Sequence, residues 1–307
     1  MQPLIVCDLF AGGGGYTAGA VQAGAKVVLA VEADKDIARV HLANFPDHEV
    51  RVQTLGGDSD ALVEELVSLG RERLMLHGSP PCTRLSQVNQ KNRDTTEGLR
   101  LVRWYLDLVA RVQPRFWSME QVPHAQLKAL LHERNVPFTV IDAADFDCPQ
   151  HRKRLIAGSA CIIAALEAKR GTGPTVLPKD VLASLQPAAR FMLRSGTTNQ
   201  PVKVYRDGVR TTAGYRRMRD DEGARDLHSV AHTVWSKPGR VVDGVSGQIV
   251  RRLTPSECAL LQGCRPGFQL DERSIGRSYK IVGNMIPPPV AKAIVRAAMA
   301  SISKGEA

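Results

Sequence analysis

The chain has 307 residues, 43% hydrophobic and 23% charged, enough for one large or two modest domains with a true core. No apolar run approaches the roughly 20 residues of a membrane-spanning helix, and Met1-Gln2-Pro3-Leu4 lacks the basic start of a signal peptide. The formal net charge of +10 suits a polyanionic partner such as nucleic acid, although a generally basic protein would carry it too.

Leu4-Ile5-Val6-Cys7 predicts a short buried strand that runs into Asp8-Leu9-Phe10-Ala11 and four glycines, Gly12 to Gly15. A helical stretch follows and ends near Gly24. Val27 to Val31 is a second strand with Glu32 at its end, and Asp36 to Asn44 is helical. Gly57-Asp58 precedes a helix over Ala61 to Leu69. Leu74 to His77 is the next strand, stopped by Pro80-Pro81. This alternation is the βαβ pattern of an α/β fold: a doubly wound, mostly parallel, Rossmann-like sheet. Such sheets bind ligands beyond the carboxyl ends of their strands. Asp8 to Gly15, Glu32, Asp58 and Ser79 to Cys82 all fall there.

From Ser86 to Gly98 the chain is polar and predicts a mobile loop. Leu99 to Val112 is an amphipathic helix, Phe116 to Met119 a strand leading to Glu120, and Val136 to Ala143 another strand. After about residue 165 the alternation fades. Lys and Arg are frequent between Lys203 and Arg225, interleaved with Tyr205 and Tyr215. That mixture suits a nucleic-acid surface, and a solvated loop would also explain it. Near Arg251 order returns, with Thr254 placed to cap a helix and Pro255 at its first position.

The glycine cluster lets backbone approach a ligand closely, and an acid at the position of Glu32 can bind ribose hydroxyls. Alone, this pattern suits a nicotinamide dehydrogenase and a methyltransferase equally. The six cysteines, at 7, 82, 148, 161, 258 and 264, include no CxxC pair, so neither a disulfide framework nor a structural metal is expected. Cys82 follows two prolines at a strand's carboxyl end, where a thiol's direction can be fixed; most lone cysteines are inert. Glu120 ends a strand, and a carboxyl in a largely apolar cleft can serve as an acid. Gln150, Arg152 and Arg154 alternate, so an extended segment would present both arginines to one side.

In order, these elements resemble the motif series of the cytosine-C5 DNA methyltransferases. The carrying residues are Asp8 to Gly15, Glu32, Asp58, Pro81-Cys82 with Ser86, Glu120-x-Val122, Gln150-x-Arg152-x-Arg154, Arg252-Leu253-Thr254-Pro255-x-Glu257 and Gly283-Asn284. The resemblance implies that Cys82 is a thiolate nucleophile adding to C6 of the base. It implies that Glu120 holds N3 and the exocyclic amine, that Arg154 binds O2, and that Arg152 fixes the pocket. S-adenosyl-L-methionine is the implied cofactor, held by Phe10, Gly12, Gly13, Gly14, Glu32, Asp58, Pro81 and Asn284. No metal is implied. Duplex DNA is the implied partner, contacted by Ser86, Gln87, Lys91 and Arg93, with the target base flipped out. A compact bacterial or phage type is implied, monomeric and cytoplasmic, with a cognate restriction endonuclease as a possible partner. The expected division is a catalytic domain of residues 1–180 plus 275–307 and a target-recognition domain of residues 181–274. An RNA methyltransferase of the same fold, a catalytically silent DNA-binding relative, and a transferase of another group to C5 stay open.

Three positions depart from the pattern. Gln121 replaces the usual Asn, predicting a softer brace for the Cys82 loop. Cys148 stands where Gly is common, and Pro287-Pro288-Pro289 stiffens the start of the last helix.

Overall fold

In a computed structural model the described residues are 3–81, 95–182, 190–192, 199–206, 209–217, 225–226, 240–242 and 249–305. The elements run β1 (Ile5–Leu9), α1 (Gly15–Ala23), β2 (Lys26–Glu32), α2 (Lys35–Asn44), β3 (Glu49–Val52), α3 (Asp60–Ser68), β4 (Leu74–Gly78), α4 (Thr95–Val112) and β5 (Phe116–Gln121). They continue α5 (Ala125–Glu133), β6 (Phe138–Asp142), β7 (Lys153–Gly158), α6 (Ala160–Glu167), α7 (Pro178–Val181), β8 (Arg190–Met192), β9 (Asn199–Arg206) and β10 (Val209–Arg217). Last come β11 (Arg225–Asp226), β12 (Arg240–Val242), β13 (Ile249–Arg252), α8 (Pro255–Leu261), α9 (Ile275–Asn284) and α10 (Pro288–Lys304).

A seven-stranded sheet in the order β3-β2-β1-β4-β5-β7-β6 forms the centre. All pairings are parallel except those of β7, which runs antiparallel to both β5 and β6. One layer covers the sheet with Leu62 and Leu66 of α3, Val102 and Val109 of α4, and Leu127 and Leu130 of α5. The other covers it with Tyr16 and Ala20 of α1, Ile162 and Leu166 of α6, and Ile294 and Val295 of α10. Each buried Val, Leu or Ile among them contributes about 1.5–3 kcal/mol. Strand alternation sorts residues between the layers: Cys7 and Leu9 face the first, Val6 the second. In β2 the alternation breaks at a bulge. Val6 pairs with Val27 but Cys7 with Leu29, so Val28 is extra. Val27 therefore packs in the second layer while Leu29 and Val31 pack in the first.

A third apolar cluster unites the chain's later part with α2. Leu253, Cys258, Leu261 and Phe268 pack with Tyr279, Val282 and Met285, and Val40 joins them. Thr254 caps α8 as expected. Its Oγ1 accepts from Glu257 N at 3.2 Å, and Glu257 Oε2 accepts from Thr254 N at 2.8 Å. Such a cap is worth about 1 kcal/mol. Pro288 opens α10, where a missing N–H costs nothing. No helix among the described residues is long and apolar enough to cross a membrane.

One expectation needs correction, and two elements are new. α4 begins at Thr95, so the segment expected as a loop to Gly98 is helical over its last four residues. β3 and α5, not expected from the sequence, are both present. The extended segment expected around the arginines is realised as β7, inserted between β5 and β6, with Arg154 in it and Arg152 just before it.

Candidate active site

The first half of the site lies where β1 and β2 end. Phe10 turns the chain with φ of +56°, a left-handed conformation that a bulky residue adopts at a cost. Gly12 has φ of +55°, and a Cβ built on it would meet nothing within 4 Å. The space over Gly12 is thus open to a ligand. Gly13 differs, since a Cβ there would overlap the Ile281 side chain of α9. Its missing side chain admits protein. Glu32 faces this loop from the end of β2. Its Oε2 accepts from Gly12 N and its Oε1 from Asp34 N, each at 2.9 Å. The carboxylate is fixed by one N–H on each oxygen and keeps lone pairs for a further donor.

Beneath the loop Asp8 is buried, with Thr17 Oγ1 donating to its Oδ2 at 2.9 Å. Burial pushes Asp8 up to about 7, against the opposing effect of the Thr17 bonds. Asp58 is exposed, and its Oδ1 accepts from Asp60 N at 3.0 Å. Trp104 of α4 ties this turn to Phe10. Its Nε1–H donates to Gly57 O at 2.8 Å, and its ring meets Phe10 edge-on at 5.9 Å.

The second half lies at the carboxyl end of β5 and the amino end of β7. Antiparallel register pairs Glu120 with Ile156, so Arg154 is Glu120's diagonal neighbour on the same face. Arg154 Nε stands 2.6 Å from Glu120 Oε1, and both side chains are largely buried. This corrects the expected apolar cleft, because Glu120 meets a guanidinium. Gln121, 2% exposed, donates from Nε2 to Pro80 O at 2.7 Å, and its Oε1 accepts from Val122 N at 2.7 Å. Both ends of the amide are engaged, so the brace on the proline turn is made with Gln in place of Asn.

The family model for C-5 cytosine-specific DNA methylases matches residues 4–169 and 179–300. The chain belongs to the C-5 cytosine-specific DNA methylase family. Among its relatives, Type II methyltransferase M1.HphI of Haemophilus parahaemolyticus is 25% identical, with 96% of this chain and 87% of the relative aligned. Type II methyltransferase M.NgoPII of Neisseria gonorrhoeae is 24% identical, over 96% of this chain and 95% of that one. Two solved structures share the fold. A prophage-encoded E. coli protein described as a DNA modification methyltransferase superposes with a TM-score of 0.67 at 20% identity, covering 98% of this chain and 99% of its own. The Dnmt2 methyltransferase of S. pombe gives 0.65 at 14% identity, covering 97% and 99%.

In this methylase Gln150 and Arg152 serve the scaffold. Gln150 Nε2 donates to Leu261 O at 3.0 Å and to the Gln262 side chain. Arg152, 1% exposed, donates from Nη2 to Gly283 O at 2.7 Å. Burial, then the neighbouring Arg154, pushes its guanidinium pKa down. Arg152 thus clasps β7 to the end of α9, whose Asn284 is exposed; Pro81 is exposed as well. Cys148 has an ordinary φ, and the left-handed residue is Asp147 at +63°. Cys82, Ser86, Gln87, Lys91 and Arg93 lie outside the described residues. Of the other cysteines, Cys7, Cys148, Cys258 and Cys264 are buried, and burial pushes Cys7 and Cys148 up to about 12. Buried, protonated thiols are poor nucleophiles.

Sequence reasoning missed Trp104, whose partners lie 47 and 94 residues away in a chain read element by element. It also missed His77, buried in β4, whose Nδ1 lies 2.8 Å from Ser118 Oγ and Nε2 3.0 Å from Ser79 Oγ. A histidine inside an apolar strand was the available signal, since a buried polar ring needs partners.

Proposed function

We propose that the protein methylates C5 of a cytosine within a specific duplex DNA sequence, with Cys82 as nucleophile. The observation that carries this reading is the buried Glu120–Arg154 pair beside a Gln121-braced proline turn that leads to Cys82. C5 of cytosine is a weak nucleophile. A thiolate at C6 forms the S–C6 bond and makes C5 electron-rich, which is covalent catalysis. In this reading Glu120 holds N3 and the exocyclic amine, and Arg154 holds O2 as negative charge develops there. Their mutual ion pair keeps both heads aimed at one volume before the base arrives. After methyl reaches C5, loss of the C5 proton restores the double bond and expels Cys82.

The residues present fit S-adenosyl-L-methionine. Glu32 offers a fixed carboxylate, Gly12 an open face, and Phe10 a ring partly free to cover a ligand. When bound, this cofactor supplies an electrophilic methyl group. Phe10, Gly12 and Glu32 would hold it directly, with the Gly13 and Gly14 backbone, Asp58, Pro81 and Asn284 as further walls. Ser86, Gln87, Lys91 and Arg93 would contact DNA, and residues 181–274 would read the sequence. Every proposed group lies on one chain, so a monomer suffices. A bacterial cytoplasm and a paired restriction endonuclease belong to the same reading.

Bisulfite sequencing of DNA from cells expressing the protein, beside a Cys82→Ala control, tests the proposal. Protected cytosines at one motif, absent with Cys82→Ala, are the expected result. Transfer of labelled methyl to tRNA and not to duplex DNA would replace it with an RNA substrate.

A further inference from the structure

Gly12 is gripped on both of its peptide planes. Glu32 accepts from its N–H at 2.9 Å, and the imidazole of His41 stands behind its carbonyl, with Nδ1 3.2 Å from Gly12 O. His41 lies on α2, fully buried, with its ring edge-on to Phe45 at 5.6 Å. Its other nitrogen, Nε2, is 3.1 Å from Nε2 of the half-buried His48. A methyl group on Gly14 would stand 2.7 Å from Phe45 and 3.4 Å from His41, so the loop rests directly on this aromatic layer.

Proton positions in this pair follow from the partners. A carbonyl oxygen only accepts, so His41 Nδ1 carries the hydrogen. Burial first, and His48 second, push His41 down to about 4, so its ring is neutral near pH 7. Its Nε2 is then bare and accepts, and His48 Nε2 must donate. The chain of donors therefore points one way, from His48 through His41 to Gly12. Glycine loses more conformational freedom on ordering than any other residue. A loop held in a left-handed turn at Gly12, with open space above it, depends on such grips to keep one shape.

We propose that His41, oriented by His48, is a positioning residue of the glycine loop that fixes the Gly12 carbonyl and so sets the affinity for the cofactor. This rests on the reading of the loop as the S-adenosyl-L-methionine site. Long-range proton–nitrogen NMR on the wild-type chain tests the hydrogen placement without any substitution. His41 protonated at Nδ1 and bare at Nε2, with His48 protonated at Nε2, is expected; a His41 protonated at Nε2 alone overturns the proposal.

Calorimetric titration with S-adenosylhomocysteine tests the consequence. His41→Phe keeps the ring contact with Phe45 and loses both bonds, and it should weaken binding about tenfold. His41→Asn, whose amide can stand in for Nδ1–H, should stay within about threefold of wild type. His48→Phe should fall between them. His41→Phe binding as tightly as wild type, while Glu32→Ala binds poorly, defeats the role of His41 and leaves the cofactor site standing. Unchanged binding in both variants defeats the cofactor site itself. Should His41→Phe fail to fold, the tautomers in the wild type and the affinity of His48→Phe still decide.

Discussion

The two halves of the site are built from different materials. Around Phe10 and Gly12 the chain shapes itself with backbone, two left-handed residues of which Gly12 is held from behind by Glu32 and His41. Between β5 and β7 it relies on side chains, with Glu120 against Arg154 and Gln121 against Pro80 O. A backbone-built loop presents groups every residue possesses, so substitutions behind it should alter stability or ligand affinity. A side-chain pocket carries its chemistry on individual heads, so truncation there should strike the rate. The contrast can be broken at either half.

The largest expected effect is on the reacting atom. Cys82→Ala should lower kcat for methyl transfer by on the order of 10⁴-fold or more, with S-adenosylhomocysteine affinity unchanged. A Cys82→Ala protein that still transfers methyl would remove the thiol from the chemistry. Next is Arg154→Ala, which leaves a largely buried carboxylate without its cation. We expect kcat to fall about 10²-fold while cofactor affinity holds; a change confined to cofactor affinity would erase the distinction between the halves. Gln121→Ala removes two hydrogen bonds of 2.7 Å and should cost about tenfold in kcat. Gln121→Asn should recover part of that loss, as single-turnover rates would show.

The smallest effect belongs to the other half and is one of stability. Asp8 binds its proton more tightly when folded, its pKa rising from 3.8 to about 7. The stability it contributes is full below about pH 4 and is lost as pH climbs through about 7. His41 and His77 titrate in the opposite sense, pushed down to about 4 and about 3, and they cancel in a comparison with Asp8→Asn. Wild-type Tm minus variant Tm should therefore fall by about a few degrees between pH 4 and 7 in scanning calorimetry. A difference that stays flat would place Asp8 in a more solvated setting than its burial implies.

The strands that build the first half were legible because each is an apolar run with a breaker behind it. β1 ends in glycines, β2 in Glu32, and β4 in two prolines. β3 was not legible, for Glu49-Val50-Arg51-Val52 is a short, partly exposed edge strand without a continuous apolar run. Nor was β7, whose place between β5 and β6 depends on a chain reversal that no local pattern encodes. That reversal decides the second half. Glu120 and Arg154 were each visible as candidates, yet their contact across 34 residues exists only in the antiparallel register. The same holds for His41 and Gly12, which lie 29 residues apart. Residue types announced the chemistry, and tertiary pairing chose which of them meet.

The extra residue in β2 has a consequence for insertions and deletions. Val28 acts as a parity switch: before it, odd-numbered Val27 faces the α1 layer, and after it, odd-numbered Leu29 and Val31 face the opposite layer. Deleting Val28 would remove the bulge and leave Leu29, Val31 and Glu32 on the faces they now hold, because Leu29 would follow Val27 in simple alternation. Deleting Ala30 instead would turn Val31 and Glu32 over and carry away the carboxylate that now meets the Gly12 amide. A codon lost at Ala30 would therefore displace the carboxylate, while one lost at Val28 or in the exposed turn near Asp47 would leave the parity of the strand's end untouched.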